Sequence, residues 1–383
     1  MPAHIPDTTK TPALDIRTIE PILLRAKIDT PIVTSFGNIP ERAVLLVKVQ
    51  DKDGGVGWGE VFGNFPAHGA ENRAHLIRDY LAPIVCSETW DSPVSAFDVM
   101  TQKTHIMGLQ GGEPGPFAQA VAGIDIALWD LVARRAGEPL WRLMGGTRDN
   151  VPTYGSGLNP QGFEGIVQSK LSEGYNAFKI KLGFGQEKDF TTLKLLRSLI
   201  GECRMMADIN QGWDVETACS NWPAYSDYDL NWIEEPLSAD RPLEEWKRIA
   251  ALGGAAIAAG ENLLGDEQFD AYIAANVLGV VQPDICKWGG FTKILPLAQR
   301  IVDARQVYCP HFLAGPFGIL ASAHCLAAAG GEGILEIDVN PNPLRVELTG
   351  GLPLIKDGIM TLPAGPGLGI EPDPVALKKF QVT

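Results

Sequence analysis

Seven ionisable residues from position 181 onward recur at a near-regular spacing: Lys181, Asp208, Glu234, Glu261, Asp284, His311 and Glu336 stand 27, 26, 27, 23, 27 and 25 positions apart. Each falls at or just beyond the end of a short apolar run. Asp208, Glu234 and Glu261 are hard oxygen donors of the kind Mg²⁺ or Mn²⁺ prefers, with coordination positions left for water and substrate. Zinc fits less well, because only His311 belongs to the set and no cysteine occupies a matching position. Lys179 and Lys181 lie two apart, so both side chains emerge on one face of a strand. Their proximity to each other and to a metal ion is expected to depress the pKa of one lysine toward neutrality and make it a general base. Asp284 and His311 are placed for a carboxylate–imidazole hydrogen bond that fixes the tautomer. Glu235 is expected to point away from Glu234 by strand alternation, as a buried supporting carboxylate.

Residues so far apart meet only if the fold folds back once per repeat. After Asn150 the sequence alternates short apolar strands with helical stretches, the pattern of parallel βα units. The strands are predicted at 151–154, 177–181, 205–209, 231–234, 255–259, 279–282, 307–309 and 334–337. No Gly-rich dinucleotide fingerprint follows any of them, so a closed barrel is favoured over an open doubly wound sheet. In such a barrel the C-terminal strand ends share one mouth. A single charged strand end often marks only where a strand meets water. Seven in succession are not explained by solvation.

Ahead of the barrel, residues 16–60 read as a three-stranded antiparallel meander, with the β-branched run around Val44, Val47 and Val49 and a turn at Asp53-Gly54-Gly55. From Glu71 to Arg142 the spacing becomes helical, with Val121, Ile124, Leu128 and Leu131 on one face. The expected organisation is an α+β capping domain over 1–140, a barrel over 141–353, and a tail over 354–383 that returns to the cap. With 383 residues, 45% hydrophobic and 20% charged, the chain has the composition of a folded protein, and its net charge of −14 disfavours nucleic acid and anionic membranes as partners. A small molecule is the expected partner. No uninterrupted apolar run approaches a membrane span, and the first ten residues lack a secretory pattern, so a cytoplasmic location is expected. The six cysteines form no CxxC pair and read as reduced packing residues. His75, His105 and His324 read as structural, whereas His68 lies in a cap loop that would reach substrate.

The motifs Lys179-Ile180-Lys181, Asp208-Ile209-Asn210, Glu234-Glu235-Pro236, Gly260-Glu261-Asn262, Gln282-Pro283-Asp284, Pro310-His311-Phe312 and Leu335-Glu336 resemble those of the enolase superfamily, and within it the mandelate racemase subgroup. The resemblance covers nearly the whole chain. It implies an α/β fold, a (β/α)₇β TIM-type barrel whose α+β N-terminal cap is completed by the C-terminal tail. It also implies one Mg²⁺ held by Asp208, Glu234 and Glu261, with Lys181 and the Asp284-supported His311 as bases on opposite faces of the substrate. Lys179 would neutralise the substrate carboxylate, Asn210 would lie near it, and Glu336 would donate a hydrogen bond to the developing enediolate. Ser156 resembles a substrate-contacting serine. Cap loops 34–38 and 60–68, with Ser35, Phe36 and His68 beside Trp58, Phe62, Asn64 and Phe65, are expected to select the substrate. Three carboxylates, one Mg²⁺ and two ammonium groups leave one positive charge, which a small carboxylate substrate cancels. The reaction implied is dehydration of an acid sugar. The alternative is racemisation or epimerisation of a 2-hydroxy acid, and a non-catalytic binding barrel is the remote third. A muconate-lactonising or succinylbenzoate-synthase type is disfavoured by Asp284 where those have lysine. Members are commonly homo-oligomers, often octamers.

Overall fold

In the computed structural model, which describes residues 13–34, 37–353 and 355–382, two long strands open the chain. Strand β1 (Leu14–Thr34) pairs antiparallel with β2 (Gly37–Asp51), and β2 with β3 (Val56–Val61). The expected meander is present and gains a fourth strand, β4 (Thr89–Trp90), against the start of β1. Two residues flanked by polar ones carry too little pattern for sequence to reveal them. Helix Pro114–Ala136 packs on this sheet. It comes so close that a Cβ on Gly59 would collide with the Gly123 carbonyl, which is why the strand carries glycine there. This helix is long and apolar enough to cross a membrane by length and composition, but 83% of its most apolar window is buried inside the protein. It is the core of the cap.

The barrel follows as eight parallel strands: β5 (Asn150–Leu158), β6 (Ala177–Lys181), β7 (Arg204–Asp208), β8 (Trp232–Glu234), β9 (Ala256–Ala259), β10 (Val280–Val281), β11 (Val307–Tyr308) and β12 (Leu335–Asp338). Ladders run from β5 to β11 in order, and β12 pairs with β5. At the remaining seam the Ile334 N–H donates to Cys309 Sγ. Seven helices connect the eight strands, giving the (β/α)₇β TIM barrel. β5 runs four residues past its expected end because it is held on both sides, by Asp338 opposite Ser156 and Ile180 opposite Leu158. β10 and β11 shrink to two residues each.

A plug of Tyr154, Ala177, Met206, Trp232, Ala258, Val280, Cys309 and Ile334, one residue from each unit, fills the barrel floor. Trp232 meets Tyr154 edge to face at 5.4 Å. Side chains alternate along a strand, so the residue two positions after each plug residue also points inward, one layer higher. Those residues are Ser156, Lys179, Asp208, Glu234, Gly260, Gln282, His311 and Glu336. The apolar floor therefore dictates the polar layer above it.

The tail does more than return to the cap. It first forms a hairpin, β13 (Ile355–Lys356) and β14 (Ile359–Thr361), with β14 antiparallel to the start of β5. Only then does it reach the cap, where Arg134 and Trp58 bind Glu371 and the Val382 N–H donates to Leu23 O. Cap and barrel are also joined by a buried ion cluster in which Asp338 accepts from Arg42 at 2.6 Å and Arg345 at 3.0 Å. All six cysteines are free thiols.

Candidate active site

A cavity of about 410 Å³ opens where the C-terminal strand ends meet the cap. Lys179, Lys181, Asp208, Glu234, Glu261, His311 and Glu336 line it, joined by Ser156 and Asn210. Asp284 lies beneath His311, whose Nδ1 is 2.8 Å from Asp284 Oδ2. The other Asp284 oxygen accepts the N–H groups of Cys286 and Lys287 at 2.8 and 3.1 Å. A carboxylate fixed by two backbone donors offers its free oxygen as an acceptor, so His311 donates from Nδ1 to Asp284 and turns Nε2–H toward the cavity, where it meets the Glu261 carboxylate.

The lysines are engaged as well. Lys179 Nζ donates to both oxygens of Glu234 at 2.5 and 2.6 Å and lies 2.9 Å from Glu336. Lys181 Nζ donates to Asp208 at 3.0 Å and Asn210 at 2.6 Å. Burial opposes both ammonium charges, but Glu234 and Glu336 around Lys179, and Asp208 beside Lys181, overcome it and raise both pKa values. Lysine–lysine proximity alone therefore depresses neither, because each has nearer carboxylates than ammonium groups. His311 is also raised, as Glu261, Glu336 and Asp284 outweigh its burial.

Glu336 accepts from Ser156 Oγ and from the Phe312 N–H. Despite burial, Lys179, His311 and Ser156 hold its pKa below the usual carboxylate range. In this arrangement it is ionised and accepts hydrogen bonds. Burial, with Asp208 and Glu336 nearby, pushes Glu234 up to about 7 against the pull of Lys179. Glu235 shares the Asn262 amide with Glu261, so it supports the same side of the site. It is buried and does not line the cavity, a supporting carboxylate as expected.

Among the described residues no three carboxylates, imidazoles or thiols are gathered tightly enough to hold a metal ion as they stand. Asp208, Glu234 and Glu261 instead face Lys181, Lys179 and His311. As a donor set the three carboxylates fit a hard divalent cation: they come from successive strand ends, Asp208 and Glu234 are paired in register, and all line one buried cavity.

Sequence reasoning missed two groups. Gln282, in the polar layer, donates to Glu234 at 2.5 Å. Lys287, read as a loop residue, is buried in the cavity wall, 3.1 Å from Asn262 and 4.5 Å above the Phe62 ring. The two-residue offset from the plug identifies Gln282; nothing in the local sequence marks Lys287. His68 is not brought to the cavity. Its side chain is 81% exposed and pairs with Glu71, and the loop sends Phe62, Asn64, Phe65 and Pro66 inward instead. Trp58 packs on Phe317 and bonds Glu371, away from the site. Ser35 and Phe36 lie outside the described residues.

A capped TIM barrel with proton-transfer groups and carboxylates at its C-terminal mouth defines a class of barrel enzymes. The match is specific: residues 18–145 fit the mandelate racemase/muconate lactonizing enzyme N-terminal domain, and 165–376 the enolase C-terminal domain-like model. The chain belongs to the mandelate racemase subgroup of the enolase superfamily, and is an enzyme of the lyase or isomerase kind. It is 29% identical to D-galactarolactone cycloisomerase of Agrobacterium fabrum, over 96% of this chain and 99% of that one. It is 30% identical to L-talarate/galactarate dehydratase of Salmonella typhimurium, over 90% and 84%. A mandelate racemase/muconate lactonizing enzyme structure from Bordetella bronchiseptica matches with TM-score 0.91 and 43% identity, covering 96% of this chain and 99% of that one. A racemase from Streptomyces coelicolor with bound magnesium matches with TM-score 0.86 and 27% identity, covering 96% and 100%.

Proposed function

We propose that the protein removes the proton α to the carboxylate of an acid sugar and expels the β-hydroxyl as water, acting as an acid-sugar dehydratase. The observation that carries this is the presence of two proton-transfer groups, Lys181 and the Asp284-backed His311, in the wall of one cavity. The dehydratase and cycloisomerase names of the relatives support the substrate class. Asp208, Glu234 and Glu261 would hold one Mg²⁺, with Mn²⁺ as a substitute, as the magnesium in the S. coelicolor racemase supports. Bound there, the ion supplies Lewis-acid stabilisation of the substrate carboxylate.

Asp208 holds Lys181 as an ammonium group; with Asp208 engaged in holding the ion, Lys181 would lose that proton to solvent, and the neutral amine would accept the α-proton. Lys179, kept charged between Glu234 and Glu336, faces the substrate carboxylate, with Asn210 and Ser156 at its sides. His311 donates the Nε2 proton to the departing hydroxyl, and Asp284 stabilises the imidazole from behind. The carbon–oxygen bond breaks, water leaves, and the enol becomes a 2-keto-3-deoxy acid. Phe62 and Phe65 from the cap shield the cavity from bulk water. The same pair of groups also favours a second reading, in which His311 returns a proton to the opposite face and the outcome is epimerisation.

Incubation with Mg²⁺ and a panel of aldonates and aldarates tests the proposal. A 2-keto-3-deoxy acid is expected. Deuterium at the α-carbon of recovered acid, with no water lost, would assign epimerisation; neither result with any acid sugar would refute both.

A further inference from the structure

The geometry points to Glu60 and Asp125, two buried carboxylates of the cap, as positioning residues for the Asp284–His311 pair. The inference rests on the reading of His311 as a proton-transfer group.

Asp284 and His311 stand on loops that run directly into two barrel helices, Gly290–Asp303 and Pro316–Ala329. The first N–H groups of a helix need acceptors that the helix itself does not supply. Both helices have a glycine N-cap, Gly289 and Gly315, with no side-chain cap. The cap domain provides the acceptors instead. Glu60, in β3, takes the Gly315 N–H at 2.7 Å on one oxygen and the Gly318 N–H at 2.9 Å on the other. Asp125, in helix Pro114–Ala136, takes the Thr292 N–H at 3.0 Å and the Thr292 hydroxyl at 2.6 Å. A Cβ at Gly290 would collide with Asp125, and one at Gly315 would lie 2.8 Å from both Glu60 oxygens. Both carboxylates therefore occupy space that any larger residue at these helix starts would fill.

Two further bonds join the cap to the same loops. The Phe62 N–H donates to Cys286 O, two residues past Asp284, and the Asn64 amide donates to Leu313 O, two past His311. Gly315 follows His311 by four residues, so a shift at the Glu60 contact is transmitted over a short, tightly held stretch. Lys181, on β6, has no such tether to Glu60 or Asp125. Loss of either carboxylate should therefore misplace His311 and spare Lys181. A misplacement of about 1 Å costs up to about a hundredfold in rate.

The test is α-proton exchange in D₂O with Mg²⁺, using the two C2 epimers of a 3-deoxy aldonate, which lack a β-hydroxyl and so exchange without eliminating. Wild-type protein and His311→Asn are measured first, and the epimer that His311→Asn ceases to exchange marks the His311 face. Failure of the wild type to exchange either epimer, or equal exchange of both by His311→Asn, overturns the underlying reading. With that established, Glu60→Gln, Glu60→Ala and Asp125→Asn are expected to slow His311-face exchange by about tenfold to a hundredfold relative to the Lys181 face. Glu60→Gln, which keeps one acceptor, should be milder than Glu60→Ala. Asp130→Asn is the control: Asp130 is a buried cap carboxylate that accepts from Trp58 and Leu368 and touches neither loop. It should leave the ratio of the two faces unchanged. An equal fall at both faces in the Glu60 and Asp125 variants, or no change in the ratio, overturns the positioning role. If Glu60→Ala does not fold, Glu60→Gln and Asp125→Asn decide.

Discussion

His324 ties the last barrel helix to the connection from the cap, and its protonation should loosen that seam. The imidazole is fully buried, with Nδ1 accepting the Trp141 N–H at 3.0 Å and Nε2 facing Leu368 O at 3.3 Å. Burial lowers its pKa to about 4, against a weaker opposing pull from the Leu368 carbonyl. A proton on Nδ1 would also turn a donor against a donor. Because the folded pKa lies below the unfolded one, this contribution is complete above about pH 6.5 and is lost as pH falls toward and through 4. At pH 4.5, a shift from 6.5 to about 4 amounts to about 2–3 kcal/mol of lost stability. His324→Asn keeps an acceptor near the Nδ1 position and cannot be protonated. Urea unfolding at pH 7.5 and 4.5 should show the wild type losing about 2–3 kcal/mol more than the variant, since other groups titrate alike in both and cancel. Equal losses would refute the assignment.

Removing Asp338 as Asn should destabilise the protein by about 3–5 kcal/mol in urea, because the Arg42 and Arg345 guanidinium groups stay buried without their shared partner. Glu261→Gln is expected to weaken Mn²⁺ binding about tenfold or more by calorimetry; unchanged affinity would remove Glu261 from the ligand set. Lys181→Ala and His311→Asn should each cost about 10²–10⁴-fold in exchange at one stereochemical face while sparing the other, as seen by NMR. Equal losses at both faces in both variants would contradict two separate proton-transfer groups.

The ring of strand-end residues was legible because a parallel barrel converts regular sequence spacing into spatial convergence, and because the plug residues stand two positions before most of it. What depends on the contacts between units was not. The lysine pKa values follow from Asp208, Glu234 and Glu336, whose distances no spacing supplies. Lys287 becomes part of the cavity only through Phe62 of the cap and Asn262 of the preceding unit, each remote in sequence. His68 was misplaced for the converse reason: a left-handed residue (φ 61°) at the start of a helix sends its ring to solvent, while its loop neighbours turn inward. The β13–β14 hairpin was hidden by its brevity, since it is stabilised by pairing with β5 rather than by its own pattern.

Labilisation of the proton beside a carboxylate is assigned to side chains from separate strands acting with one divalent cation. Its most direct test is α-proton exchange of an acid-sugar panel in D₂O, followed by NMR on protein stripped with a chelator, then resupplied with Mg²⁺. Exchange should disappear on stripping and return with the ion. Undiminished exchange by the stripped protein, or none from any carboxylate with Mg²⁺ present, would contradict it.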